Sequence, residues 1–173
     1  GLFLSVLCLQ AKCQIQFDEG SFTEVLAKAK QEKRMVFMDC YTSWCGPCKM
    51  MAQEVFSRED VGQFMNTRFV NVKLDMEKGE GRELAKKYQV KVYPTFLILN
   101  EDGEVIHKIV GGMKAEEFLQ HVQNGIGEHS LYSYEKRYAE GERDPQFVYS
   151  YIETLARAFM KERMEEVLHE YWG

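Results

Sequence analysis

Proline is scarce in this chain, with 3 among 173 residues, and 13 glycines complete an otherwise ordinary composition of 45% hydrophobic and 28% charged residues. Collagen-like repetition and low-complexity disorder are both excluded. Basic charge is in deficit: 22 Lys+Arg against 27 Asp+Glu give a net charge of -5, the wrong sign for a surface that gathers polyanions, so nucleic acid is not an expected partner. A membrane-spanning helix needs ~20 apolar residues, and the apolar run from Leu2 to Leu9 falls far short. A fully paired disulfide framework is also absent, because five cysteines is an odd number. The length suits one domain of usual size with an appendage and is too short for two.

What is present begins with that apolar run. It has the length of a secretory h-region, and Ala11-Lys12-Cys13 places small residues at the -3 and -1 positions of a cleavage before Gln14. Residues 1–13 are therefore expected to be a signal-peptide remnant, with a short buried strand or helix as the alternative. Export would remove Cys8 and Cys13 and leave Cys40, Cys45 and Cys48.

Downstream, Ile15 and Phe17 alternate as in a short strand, and Ser21-Phe22-Thr23-Glu24 is a capping box opening a helix that should end near Lys33-Arg34. Met35 to Met38 is a continuous apolar run that suits a central strand covered on both faces, and Asp39 interrupts the run. Pro47 marks the first turn of a helix beginning at or next to Cys45. Phe69 to Leu74 reads as a strand and Glu83 to Tyr88 as a short helix. Thr95–Leu99 and Val105–Val110 flank an Asn100-Glu101-Asp102-Gly103 turn as a β-hairpin. Gly111-Gly112 leads into a helix burying Phe118, Leu119 and Val122. This is an α/β layer fold with a mixed sheet. From about Ser130 the pattern turns wholly helical, over Tyr132–Ala139, Gln146–Phe159 and Lys161–Trp172, and is dense in aromatic residues. It reads as a helical extension packed on the core, with a partial tetratricopeptide-like hairpin as the alternative; such repeats need stacked neighbours.

Cys45 and Cys48 stand at i and i+3 of a helix N-terminus, where they are neighbours on one face and can close a disulfide. Unsatisfied N–H groups there favour the thiolate, the attacking species, and Lys49 adds a nearby cation. A C-x-x-C pair is also half of a zinc site. Zinc needs four ligands, and His107, His121, His129, His169 and Cys40 supply no second paired spacing, so no metal is expected.

The segment Trp44-Cys45-Gly46-Pro47-Cys48-Lys49 resembles the active site of the thioredoxin family, with Asp39, Lys73 and Tyr93-Pro94-Thr95 at matching places. The resemblance covers about residues 15–126. It implies a thioredoxin-like α/β/α sandwich over residues 14–128, followed by the helical extension at 129–173. It also implies thiol–disulfide exchange with protein disulfides, needing no cofactor beyond the redox pair, with Cys45 attacking and Cys48 resolving. Pro94 is expected to be cis and to pack beside the disulfide, leaving the residue 93 backbone free for an extended substrate. Tyr41 replaces a second Trp, the loop at residues 77–82 is longer, and Tyr93 replaces a smaller residue. Together with the export signal, these make the chain look like exported thioredoxin-like reductases and the periplasmic domain of the transmembrane disulfide reductase. A bacterial periplasmic location follows, with a membrane disulfide reductase as electron donor; the alternative is cytoplasmic.

Asp39 reads either as a strand-edge carboxylate or as a buried proton acceptor for Cys48, its pKa raised by desolvation. Lys73 either moderates that shift or is a solvated strand-end lysine. Trp44 and Tyr93 form an apolar rim for substrate, or Tyr93 packs in the core. Cys40, on the opposite face from Asp39, reads as a buried inert thiol. A reductase is the default reading, from the Gly-Pro dipeptide. The reading of another class is a non-catalytic redox switch or adaptor that recruits a partner through its C-terminal helices.

Overall fold

Ser21 caps the first helix, α1 (Phe22–Glu32), as its spacing requires. Its hydroxyl accepts the Glu24 N–H at 3.3 Å while the Glu24 carboxylate accepts the Ser21 N–H at 2.7 Å. The helix ends as Lys33 turns left-handed, its N–H donating back to the Ala29 and Lys30 carbonyls. Ser21→Ala is expected to lower stability by about 1 kcal/mol, seen as a lower urea midpoint at unchanged m-value. The computed structural model describes residues 14–173; the expected signal remnant at 1–13 lies outside the described residues.

Five strands form one sheet: β1 (Phe17–Asp18), β2 (Met35–Tyr41), β3 (Phe69–Asp75), β4 (Thr95–Leu99) and β5 (Val105–Val110). Their order is β1-β3-β2-β4-β5, with β1, β3 and β2 parallel and the β4–β5 hairpin antiparallel. The mixed sheet expected from the sequence is present. Asp39 breaks the apolar run but not the strand, and β2 continues to Tyr41. Its backbone stays paired on both sides, opposite Lys73 of β3 and Phe96 of β4, so one polar side chain leaves the strand intact.

The remaining helices are α2 (Gly46–Met50), which runs on into a π-helical turn at Met51–Val55, α3 (Glu59–Arg68), α4 (Gly81–Lys87), α5 (Ala115–Gly125), α6 (Leu131–Ala139), α7 (Pro145–Arg157) and α8 (Lys161–Trp172). Strand alternation sorts the apolar residues onto two faces. One face packs Phe37, Phe56, Phe96 and Phe118, with ring centroids 5.5–6.3 Å apart, together with Met51 and Val55 behind the active-site helix. The other packs Val36, Met38 and Cys40 against Val25 and Ala29 of α1.

Helices α6–α8 close around a third cluster of their own, with Tyr134, Tyr138, Phe147, Tyr151 and Leu155 at its centre. They are joined to the sheet through α6, whose Leu131 N–H donates to Nδ1 of buried His107 on β5 at 3.2 Å. Burial pushes the His107 pKa down to about 4, with nearby His121 contributing, so the ring is neutral at pH 7 and free to accept. Among the described residues, no helix is long and apolar enough to cross a membrane.

Candidate active site

The end of β2 delivers the chain to the redox pair. Cys45 is extended (φ -74°, ψ 110°) and serves as N-cap of α2, with Pro47 in the first turn, where its missing N–H leaves no bond unmade. Cys45 and Cys48 are disulfide-bonded with their Cα atoms 5.3 Å apart, and both are buried. The Cys48 N–H donates to Cys45 Sγ at 3.2 Å. In the reduced protein the same donor would meet a thiolate, which stabilises the charged form. The Cys45 N–H donates to the Thr42 carbonyl and the Lys49 N–H to the Cys45 carbonyl, which fixes the turn. Gly46, Pro47 and Lys49 are exposed.

Asp39 lies on β2 six residues before Cys45, on the sheet face that carries Phe37. It is only 6% exposed, and its Oδ1 has no hydrogen-bond partner. Burial raises its pKa to about 7, and the Lys73 charge acts against that rise. Lys73 is the residue paired with it across β3, yet its side chain is exposed, with Nζ 5.4 Å from the Phe17 ring centroid. Both readings of Lys73 therefore meet in one residue, solvated but close enough to act on Asp39 through its field.

The Tyr93–Pro94 peptide bond is cis, as expected. Thr95 begins β4 fully buried, its hydroxyl donating to the Val92 carbonyl at 2.8 Å. Trp44 is 65% exposed and meets Tyr93 edge-on, with ring centroids 6.1 Å apart. Tyr93 is half-buried, so its ring joins the second core and still borders the rim. Cys40 is fully buried on the opposite face, and burial pushes its thiol pKa well up, which leaves it unreactive.

Two features were not foreseen from the sequence. The Trp44 indole N–H donates to the Glu77 carboxylate at 3.0 Å, so the longer loop after β3 supports the rim. The Gly111-Gly112 segment, read only as a lead-in to α5, is part of the site: the Gly111 N–H donates to the Pro94 carbonyl at 2.9 Å. A Cβ on Gly112 would come within 2.9 Å of the Met50 methyl and 3.2 Å of Pro47, so the loop lies close against α2. Among the described residues, no group of three or more His, Cys, Asp or Glu is placed to hold a metal.

A mixed sheet carrying a Cys-x-x-Cys disulfide at a helix N-terminus, beside a cis-proline and a buried carboxylate, defines the thiol–disulfide oxidoreductases of thioredoxin fold. A family profile described as thioredoxin-like domain matches residues 22–126, and the chain belongs to that family. Thioredoxin of Bacillus subtilis is 38% identical over 102 residues, covering 59% of this chain and 91% of that protein. A protein from Bacteroides thetaiotaomicron assigned as a disulphide-isomerase has a solution structure matching at TM-score 0.61 with 49% identity, over 65% of this chain and 93% of its own. The thiol:disulfide interchange protein DsbD 2 of Pseudomonas aeruginosa is 32% identical over 101 residues, which are 57% of this chain and 17% of that protein. The helices from Leu131 onward lie beyond the family match.

Proposed function

We propose that the protein reduces disulfide bonds in polypeptide substrates by dithiol–disulfide exchange. The Cys45 thiolate attacks one sulfur of the substrate disulfide, forming a mixed disulfide and releasing one substrate thiolate. Cys48, once deprotonated, attacks Cys45 Sγ, closes the Cys45–Cys48 disulfide and releases the second thiolate. Two electrons pass from the pair to the substrate, and the two protons end on the substrate thiols. The observation that carries this reading is the Cys48 N–H aimed at Cys45 Sγ, which stabilises that sulfur as the attacking thiolate.

Asp39 takes the Cys48 proton: a buried carboxyl with a pKa raised to about 7 is matched to proton transfer near neutral pH. Lys73 keeps that pKa from rising further. Pro94 and Tyr93 present backbone to the substrate, with Trp44 as the rim, and no cofactor beyond the redox pair is used. The residue types of the Gly-Pro motif and the likeness to B. subtilis thioredoxin support reduction. Similarity to a thiol:disulfide interchange protein supports an exported, periplasmic protein recharged by a membrane disulfide reductase.

Isomerisation is a second reading, favoured by the relative assigned as a disulphide-isomerase. The redox potential decides between them, since thioredoxin and protein disulfide isomerase differ by ~90 mV, or about 4 kcal/mol. Equilibration with glutathione buffers should give a potential in the thioredoxin range; a value near that of the isomerases refutes reduction. A protein that fails to reduce insulin yet still binds a partner through residues 130–173 would be the adaptor instead.

A further inference from the structure

The cleft between the redox domain and the extension has a chemistry of its own. It is a half-open groove of about 760 Å³, a volume within the ~300–1,000 Å³ of ligand sites. Its lining includes Lys108, Val110, Gly112 and Met113 on one side and Thr154 and Phe159 on the other. The sheet ends at β5, so the outward backbone groups of Lys108 and Val110 have no strand partner among the described residues. Free edges are normally blunted or covered. Here α6 is tied down beside His107, and the remainder of the edge opens into the cleft.

The cleft is continuous with the redox site. Gly112 lines it and also lies against Pro47 and Met50. Gly111 is bonded to the Pro94 carbonyl, and the Met113 N–H donates to Met51 Sδ at 3.3 Å. A chain held at the cis-proline loop therefore has a path past Gly112 and along β5.

At the far rim stands Phe159, 64% exposed and held left-handed at φ 56°. The Met160 N–H to the Leu155 carbonyl and the Phe159 N–H to the Ala156 carbonyl close the end of α7 in the pattern where glycine is the usual residue. A bulky aromatic side chain in that conformation is strained and solvent-facing, so local stability does not account for it.

We infer that this cleft holds an extended segment of the polypeptide substrate, laid along the β5 edge as an added strand and clamped by Phe159, so that the helical extension selects protein disulfides over small ones. The inference rests on Cys45 and Cys48 exchanging with protein disulfides. Main-chain bonds to a sheet edge supply affinity for any extended chain, and the clamp adds contact.

Phe159→Gly separates docking from folding, because it relieves the left-handed strain and should hold or raise the Tm. Its kcat/KM for insulin is expected to fall about fivefold or more, with the rate on the small probe dithiobis-nitrobenzoate unchanged. An undiminished insulin rate, or equal loss on both probes, overturns the inference. A wild-type protein inert toward both probes instead removes the exchange reading on which it rests. As a second measurement, hydrogen exchange on a Cys48→Ser protein trapped on insulin should show slowed amides at Lys108 and Val110, whose backbone groups face away from β4. Unchanged exchange there overturns the added strand.

Discussion

Cys45→Ser is expected to lower insulin reduction on the order of 10³-fold or more, while Cys48→Ser retains attack and stalls with substrate attached. The asymmetry follows from position. Cys45 is the N-cap whose sulfur accepts the Cys48 N–H, so its thiolate is stabilised and forms the first bond. A serine hydroxyl there has neither the acidity nor the ability to form a disulfide. Cys48 has only to break a bond already made, and without it the mixed disulfide persists. Mass spectrometry of the two variants after exposure to insulin should show a covalent adduct on Cys48→Ser alone. Full turnover in Cys45→Ser, or an adduct on that variant, would sink the assignment of attacking and resolving thiols.

Asp39→Asn should stabilise the protein at alkaline pH and slow exchange. The unfolded carboxyl titrates near its ordinary value of about 3.9, whereas in the folded protein burial raises it to about 7. Between those values the unfolded chain releases a proton that the native chain keeps. The stability this carboxyl contributes is therefore complete below pH ~4 and is lost as pH rises through about 7. A shift of about 3 units corresponds to about 4 kcal/mol. Relative to Asp39→Asn, the wild type should be near parity at pH 4 and less stable by about 4 kcal/mol at pH 8, read from urea midpoints across that range. A difference that does not vary with pH would show that Asp39 does not titrate as described. If Asp39 also takes the Cys48 proton, release of the mixed disulfide slows by about 10²-fold; an unchanged release rate removes that role while leaving the stability argument intact.

Local features of the molecule were legible because their causes lie within a few residues. The capping box at Ser21, the helix start at Cys45 and the Asn100–Gly103 turn are each specified by a short stretch of sequence. Strand parity placed Asp39 and Cys40 on opposite faces, and that holds. Pairing on both sides carries the β2 backbone through the polar Asp39. The Trp44–Glu77 bond spans 33 positions and depends on how the β3–α4 loop folds back, which no local pattern encodes. The contact of Gly112 with α2 arises only once the hairpin has crossed the sheet. Phe159 was hidden for a different reason: the usual marker of a left-handed helix end is glycine, and here an aromatic residue occupies that place.

The separate core of α6–α8 has a consequence for how the molecule opens. Its apolar residues form a cluster of their own within the extension, and a cleft lies along part of its boundary with the sheet. Such a unit can come away at a free energy below that of global unfolding. The extension should thus behave as a foldon, exchanging its amides through sub-global openings while the five strands and the disulfide stay protected. Such an opening would break the Leu131–His107 tie and leave the redox centre in place.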